Sequence, residues 1–240
     1  MFDILTDLQT SKWRGEEDRV KLLLSRRAAA LGASVGQQGM QYARSLAGAQ
    51  INATTKLSNE TSGLPHVGLV SRLSNEEAID ELETALSEIA AFVLRPERVQ
   101  RCRIACQKES FDATERRFAK FLSEIKPIAE SPVEADTVET ELKSFKPALS
   151  KVFVSVPGQT NYCAAALPAL PYTHPDAPAL FLLAQALSAG YLHREIREKG
   201  GAYGGGCASD PMSSLFSFYS YRDPNTTETC LLYTSPSPRD

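Results

Sequence analysis

The feature that most constrains the fold of this chain is a charged helix that runs into a pair of glycines. Residues 193–206 read HREIREKGGAYGGG, so the charged block stops at Gly200 and Gly201. Glycine after a run of Arg, Glu and Lys is typical of a helix end, because it accepts the left-handed backbone conformation that other residues resist. Tyr203 then lies on bare backbone, and Arg197 lies in the last helical turn. We therefore expect both polar side chains to face the same opening.

Alternation and helical periodicity predict the elements around this stretch. The predicted elements of the carboxy-terminal part are strands at 152–156 and 161–167, a helix from Thr173 or Asp176 to Lys199, and strands at about 202–208 and 215–222. Strand, strand, helix, strand, strand indicates an α+β fold in which an antiparallel sheet packs on a long helix.

The amino-terminal part has the apolar spacing of helices, interrupted by polar and proline-rich stretches. The predicted elements there are helices within 1–50, a loop at 51–67, helices from Ser74 to about Pro96 and from Thr114 to Ile125, and a strand at 98–106. Residues 126–147 are rich in Pro, Glu, Ser and Thr, which is typical of a linker. We therefore predict a helical part at 1–125, a linker at 126–150 and a second part at 151–229.

Composition and charge argue against several classes of partner. The net charge of −3 gives no reason to expect nucleic acid or an anionic membrane. No apolar run in the sequence approaches the roughly 18–20 residues that a membrane helix needs. Five cysteines, an odd number without a disulfide-scaffold spacing, indicate a reducing compartment. Residues 230–240 resemble the translation of a sequencing adapter, so we expect the chain to be a fragment of a longer protein.

Three stretches resemble a known family. Residues 197–204, REKGGAYG, resemble the arginine/tyrosine element in the carboxy-terminal half of presequence proteases, and the stretches 169–176 and 215–225 resemble the same proteins. These are pitrilysin-like zinc peptidases with an inverted H-x-x-E-H motif. The resemblance is specific over about residues 150–229, whereas residues 1–150 match in pattern alone.

The resemblance implies a domain arrangement and a reaction. Residues 1–125 would be the helical part of the third peptidase-like domain, and residues 151–229 the start of the fourth. The intact protein would be an ATP-independent zinc endopeptidase of the mitochondrial matrix, or of plastids, that degrades cleaved targeting peptides and other short unstructured peptides in a closed chamber. Zinc would be bound by the missing amino-terminal half of the same chain, which is the expected protein partner. No nucleic acid or membrane partner is expected.

The resemblance also assigns roles to residues of the glycine-ended helix. Arg197 and Tyr203 would be the catalytic contacts to the substrate at the scissile bond, where an oxyanion needs hydrogen-bond donors. The remaining substrate-binding residues would be His193, Gly200, Gly201 and Gly204. The chain should bind no metal, because none of its three histidines belongs to an H-x-x-E-H motif.

Other interpretations of the same residues stay open. Arg197 and His193 are equally typical of an exposed helix surface, and Tyr203 of local strand packing. The whole segment could be a non-catalytic pitrilysin-like module of the processing-peptidase or respiratory-complex core type. A phosphate-binding loop at 200–206 is disfavoured, because the run lacks the Lys-Ser/Thr ending and follows a helix. Cys102 and Cys106 could be metal ligands, but we expect core thiols.

Overall fold

A computed structural model describes residues 2, 4, 16–75, 78–93, 103–124, 140, 143–156 and 158–234. They fall into two compact units. The first unit comprises Met1–Leu23 and Leu73–Val138, and the second comprises Leu24–Arg72 and Glu139–Asp240. These bounds differ from the three ranges expected from the sequence, and the division into peptidase-like domains stays a prediction. Most of the predicted linker, and residues 235–240 of the proposed adapter stretch, lie outside the described residues.

Helices account for most of the described structure. The α-helices are α1 (Glu17–Gln37), α2 (Gly39–Gly48), α3 (Ala53–Ser62), α4 (Leu64–Leu73), α5 (Ile79–Val93), α6 (Phe111–Glu124), α7 (Ala177–Leu187) and α8 (Thr227–Thr234). A short 3₁₀ turn at Lys108–Ser110 precedes α6, and α7 continues directly into a π-helix at Ser188–Lys199. The helix predicted to end at Lys199 is thereby confirmed, with a change of hydrogen-bond register inside it.

The second unit contains an antiparallel sheet of three strands. These are β1 (Ala164–Pro168), β2 (Gly204–Asp210) and β3 (Leu215–Tyr221), in the order β1-β3-β2. Ala166 pairs with Ser217 and Cys207 pairs with Phe218, so β3 is central and β2 and β3 form a hairpin. The α+β fold and these three strands confirm the sequence prediction.

The two faces of β3 pack against different helices, because side chains alternate along a strand. On one face, Phe216 is buried in a core with Ala184, Leu192, Ile196, Ala202 and Cys207. On the other face, Arg44 of α2 donates a hydrogen bond to the Ser217 hydroxyl over 3.1 Å, and its guanidinium lies 5.0 Å from the Tyr219 ring centroid. The sheet is therefore covered by helices on both faces rather than packed on one long helix alone.

In the first unit, aromatic side chains of α6 form the clearest cluster. Phe118 and Phe121 have ring centroids 6.2 Å apart, and Phe2 lies 5.7 and 5.6 Å from them, respectively. Their spacing of three residues places both on one helical face, as the predicted amphipathic helix requires. Aromatic pairs at these separations contribute roughly 0.5–1.5 kcal/mol beyond their buried area.

Three predicted elements are wrong. Residues 152–156 form no strand, and Phe153 is 82% exposed. A strand needs a neighbour for its backbone groups, and no other described strand pairs with this stretch. The predicted loop at 51–67 is instead α3 and the start of α4. The described part of the predicted strand at 98–106, residues 103–106, is not a strand, and Cys106 is exposed rather than a core thiol. Cys102 lies outside the described residues.

Candidate functional site

The candidate site is built where the π-helix ends. Its wider register gives a hydrogen bond from the Gly200 N–H to the Glu195 carbonyl, five residues back, at 3.0 Å. Gly201 then adopts φ 76°, its N–H donates to the Arg197 carbonyl, and the Ala202 N–H donates to the Ile196 carbonyl at 3.1 Å. The predicted glycine stop is confirmed in its physical detail, since Gly201 is in the left-handed region.

The turn after the helix is fixed by the stretch that follows β3. Asn225 donates its side-chain N–H to the Gly200 carbonyl over 2.6 Å, and Pro224 lies beside Gly201. Asp223 is fully buried and accepts the Asn225 backbone N–H at one carboxylate oxygen, Oδ1, over 2.9 Å. Asn161 and Asp223 exchange backbone hydrogen bonds of 2.8 and 2.9 Å. The position of Tyr203 is therefore set from both sides of the turn.

Tyr203 is the exposed centre of a group of aromatic and cationic side chains. It is 64% exposed, and the Arg197 guanidinium carbon lies 5.7 Å from its ring centroid. The Arg222 guanidinium carbon lies 6.0 Å from the same ring and 5.4 Å from the ring of Tyr221, which meets Tyr203 edge-on at 5.8 Å. We call Arg197, Tyr203, Tyr221 and Arg222 the arginine–tyrosine patch. The structure thus brings together the two residues that the sequence singled out as catalytic.

The aromatic packing continues inward from the patch. Tyr162 packs on Tyr221 at 5.8 Å, and its hydroxyl donates to the Gly36 carbonyl over 2.7 Å. Its ring also lies against Gly39, where an added Cβ would approach a ring carbon closely enough to force a shift. A row of rings therefore supports the exposed Tyr203 from α1 and α2.

Charges near the helix end are of two kinds. Glu195 accepts hydrogen bonds from Lys199 at 2.9 Å and from Arg194 at 3.1 Å. The hydrogen bond from Lys199, supported by Arg194, lowers the pKa of Glu195 below its usual value. By contrast, neither Arg197 nor Arg222 has an acidic partner among the described residues. The patch therefore presents two guanidinium groups that are free to bind an anionic or carbonyl group.

The other predicted site residues have different surroundings. His193 lies 3.3 Å from Glu198, five residues on, which is the neighbour that a π-helix provides; the expected alignment with Arg197 assumed α-helical spacing. Gly200 is required for packing, because an added Cβ would lie 2.7 Å from the Ile196 carbonyl oxygen. At Gly204 an added Cβ would meet nothing within 4 Å. Substrate binding by His193, Gly200, Gly201 and Gly204 stays a prediction.

Sequence reasoning missed Tyr221 and Arg222. Both belong to the stretch 215–225 that carried the family resemblance, but neither was given a role. Arg222 is one of two non-glycine residues with positive φ among the described residues, at 48°. No local pattern predicts that conformation for an arginine, so the signal lay in the spatial pairing of Tyr203 with Arg222, where the Tyr203 N–H donates to the Arg222 carbonyl.

Metal and membrane features are not found in the described part of the chain. Within the residues that the structure describes, no group of three or more His, Cys, Asp or Glu side chains could hold a metal ion. A zinc site therefore does not fit the described side chains. No helix among those described is long and apolar enough to span a bilayer.

Comparison with known proteins defines the class. A family model described as "Peptidase M16 inactive domain" matches residues 66–232. A second model, for the region associated with the C subgroup of the M16 peptidases, matches residues 1–73. The chain therefore belongs to the M16 peptidase family, and the predicted resemblance to pitrilysin-like peptidases is confirmed.

Within this class the chain is similar to proteins named "Presequence protease, mitochondrial". It is 34% identical to the one from Yarrowia lipolytica over 236 residues, 96% of this chain and 23% of that protein. It is 31% identical to the one from Danio rerio over 246 residues (95% of this chain, 24% of that protein), and 29% identical to the one from Saccharomyces cerevisiae over 212 residues (86% and 21%). The chain thus spans about a quarter of the length of these relatives, whose names support the predicted mitochondrial localisation.

Proposed function

We propose that this chain is part of a zinc endopeptidase that degrades presequences and other short unstructured peptides in the mitochondrial matrix. The proposal is supported by its similarity to proteins named as mitochondrial presequence proteases. Zinc would be held by residues outside this chain, in the amino-terminal half of the same protein. The contribution of this segment is then to bind and orient the peptide through its own side chains.

The observation that carries the proposal is the exposed Tyr203 beside an unpaired Arg197. The Tyr203 hydroxyl has no hydrogen-bond partner among the described residues, and its ring is held by Arg197 and Tyr221. A phenol and a guanidinium are both hydrogen-bond donors at neutral pH. Arg197 would hold a carbonyl of the peptide backbone, and the Tyr203 hydroxyl would donate to the oxygen on which negative charge develops during cleavage.

Substitution of Tyr203 in the full-length protein tests this role. Tyr203→Phe removes the hydroxyl and keeps the ring contacts, so kcat for a short unstructured peptide should fall roughly 100- to 1,000-fold with little change in KM. Tyr172→Phe is the matched control, since Tyr172 is 71% exposed and lies in the loop before α7. Equal turnover by the Tyr203→Phe and Tyr172→Phe variants would rule out the proposed role.

A second candidate is a non-catalytic module that binds peptides or partner subunits. It is favoured by the description of the matching family model as an inactive domain. In that case the full-length protein should show no peptide cleavage, whereas binding of a short unstructured peptide should still require Arg197. Measuring cleavage and binding of the same peptide by the wild-type protein and the Arg197→Ala variant separates the two functions.

A further inference from the structure

Arg222 is held in a backbone conformation that disfavours it. Its φ of 48° lies in the left-handed region, which costs a non-glycine residue conformational energy and is adopted most readily by glycine. The conformation is maintained by its neighbours, because the Arg222 carbonyl accepts the Tyr203 N–H over 3.2 Å and Asp223 pairs with Asn161 through the backbone. Strain of this kind that is retained at an exposed position is a reason to look for a function of the side chain.

The strained backbone aims the side chain of Arg222 at the exposed rings of the patch. Its guanidinium carbon lies within 6.0 Å of the Tyr203 and Tyr221 ring centroids, and that of Arg197 lies 5.7 Å from the Tyr203 ring. Both arginines are exposed. Aromatic faces restrict the guanidinium planes without neutralising them, so their hydrogen-bonding edges stay available for a ligand.

The charges around the patch do not cancel those of the two arginines. Glu195 is paired with Lys199 and Arg194, and Glu198 faces His193. Asp223 is fully buried and directs one carboxylate oxygen to the Asn225 N–H. Two guanidinium groups converging on one exposed ring therefore form a site whose natural ligand is a planar anion, and a carboxylate matches guanidinium geometry.

We propose that Arg222 is a specificity-determining residue that binds a carboxylate of the peptide substrate beside Tyr203, together with Arg197. The inference rests on the proposed function of the patch and extends it by naming the chemical group that is recognised. The carboxylate can belong to an acidic side chain near the cleaved bond or to the carboxy terminus of the peptide. Both sources present the same group to the two guanidiniums.

Matched peptide pairs test the proposal in the full-length protein. One pair differs by Glu against Gln at single positions on either side of the cleaved bond, and the other by a free carboxy terminus against a terminal amide. We expect kcat/KM to be higher for the carboxylate member of one pair, and Arg222→Gln to lower that ratio about fivefold, the effect of an exposed ion pair. The pair that responds identifies the source of the carboxylate.

Two further variants keep the result independent of folding. Arg222→Gly relieves the left-handed strain but also removes the guanidinium, so it should lower the ratio as Arg222→Gln does without lowering the melting temperature. Ser214→Gly relieves the same kind of strain at φ 52°, in the β2–β3 turn, and should leave the ratio unchanged. Arg222→Lys, which retains charge without the planar fork, should keep part of the preference.

The outcomes are distinguishable from those of the Tyr203 experiment. Wild-type ratios near one for both peptide pairs would overturn the carboxylate proposal, as would a preference that Arg222→Gln and Arg222→Gly leave intact. Either result is compatible with a large loss of turnover in Tyr203→Phe, so the proposed function would survive. If Tyr203→Phe and Arg197→Ala both left turnover unchanged, the function itself would fail.

Discussion

The two ends of the β2–β3 hairpin contrast in how they use polar side chains. We call residues 210–214 the turn end, and the opposite end carries the arginine–tyrosine patch. Each end holds a non-glycine residue in the left-handed region, Ser214 at φ 52° and Arg222 at φ 48°. At the turn end, the Asp210 carboxylate accepts the N–H groups of Met212 and Ser213. The polar groups of that turn are satisfied locally, and nothing there points to a ligand.

At the patch the backbone is equally well held, but the side chains are not satisfied. The hydrogen bond from Asn225 to the Gly200 carbonyl fixes the main chain, while Tyr203 and two arginines have no polar partner for their side chains in the described structure. Backbone strain alone therefore does not indicate function, since a tight turn has it too. Strain combined with unpaired, exposed donors is the informative observation.

The largest effect that sharpens this comparison is expected from Gly201→Ala. An added Cβ would meet only Pro224 Cγ, at 3.7 Å, so the cost comes from the φ of 76° rather than from a clash. We expect a loss of about 1–2 kcal/mol in the free energy of unfolding, measured by urea denaturation. Turnover by the full-length protein should also fall, because the turn positions Tyr203.

Gly190→Ala is the control for that substitution. Gly190 lies in the same π-helix, where an added Cβ would meet no atom within 4 Å, so the variant should be as stable as the wild type or slightly more stable. Equal stability of Gly201→Ala and Gly190→Ala would mean that the left-handed turn is not what holds the patch.

A smaller effect, confined to stability, is expected from Asn52→Ala. The Asn52 side chain caps α3 by accepting the Thr55 N–H at 2.9 Å, and it donates to the Ser213 carbonyl of the turn end at 2.8 Å. Loss of both bonds should lower the free energy of unfolding by about 1 kcal/mol. Asn52→Asp retains the cap acceptor but loses the donor, so its stability should be intermediate.

Peptide turnover distinguishes the two ends in the same experiment. Both Asn52 variants should cleave a short peptide at the wild-type rate once corrected for the folded fraction. If turnover fell much further than stability, the turn end would also be functional and the contrast between the two ends would be wrong.

The sequence predicted the helix end and the pairing of Arg197 with Tyr203 because both follow from local rules. Glycine after a charged block and an aromatic between glycines specify a turn without reference to distant residues. The same reasoning failed at 51–67, where Gly63 and Pro65 indicated a loop. Asn52 caps α3, and Pro65 occupies the first turn of α4, where its missing N–H costs nothing.

Other features depend on contacts that a local pattern does not contain. The stretch 152–156 has the alternation of a strand, but its pairing depends on a neighbour elsewhere in the chain. The π-register of 188–199 pairs His193 with Glu198 instead of aligning it with Arg197. The left-handed Arg222 depends on Asn161 and Tyr203, which are distant in sequence from one another. These are tertiary effects, and they include the residue on which the carboxylate proposal rests.

The smallest expected effect separates the paired charges of the helix end from the unpaired ones of the patch. The pKa of Glu195 is lowered mainly by the Lys199 hydrogen bond. Its ionised form therefore stabilises the fold above the pKa of the unfolded chain, and this contribution is lost as the pH falls through the lower pKa of the folded state. Glu195→Gln should make the melting temperature slightly less dependent on pH across the acidic range, measured by thermal denaturation between about pH 3 and 6.

The same substitution should not change substrate preference if the patch acts as proposed. Glu195→Gln frees Lys199 and Arg194, which adds positive charge near the patch without adding a guanidinium to Tyr203. The Glu/Gln and acid/amide peptide ratios should then stay at their wild-type values, because recognition depends on the geometry of Arg222 and Arg197 rather than on total charge. A rise in those ratios comparable to the fall in Arg222→Gln would instead attribute the preference to the general field of the helix end.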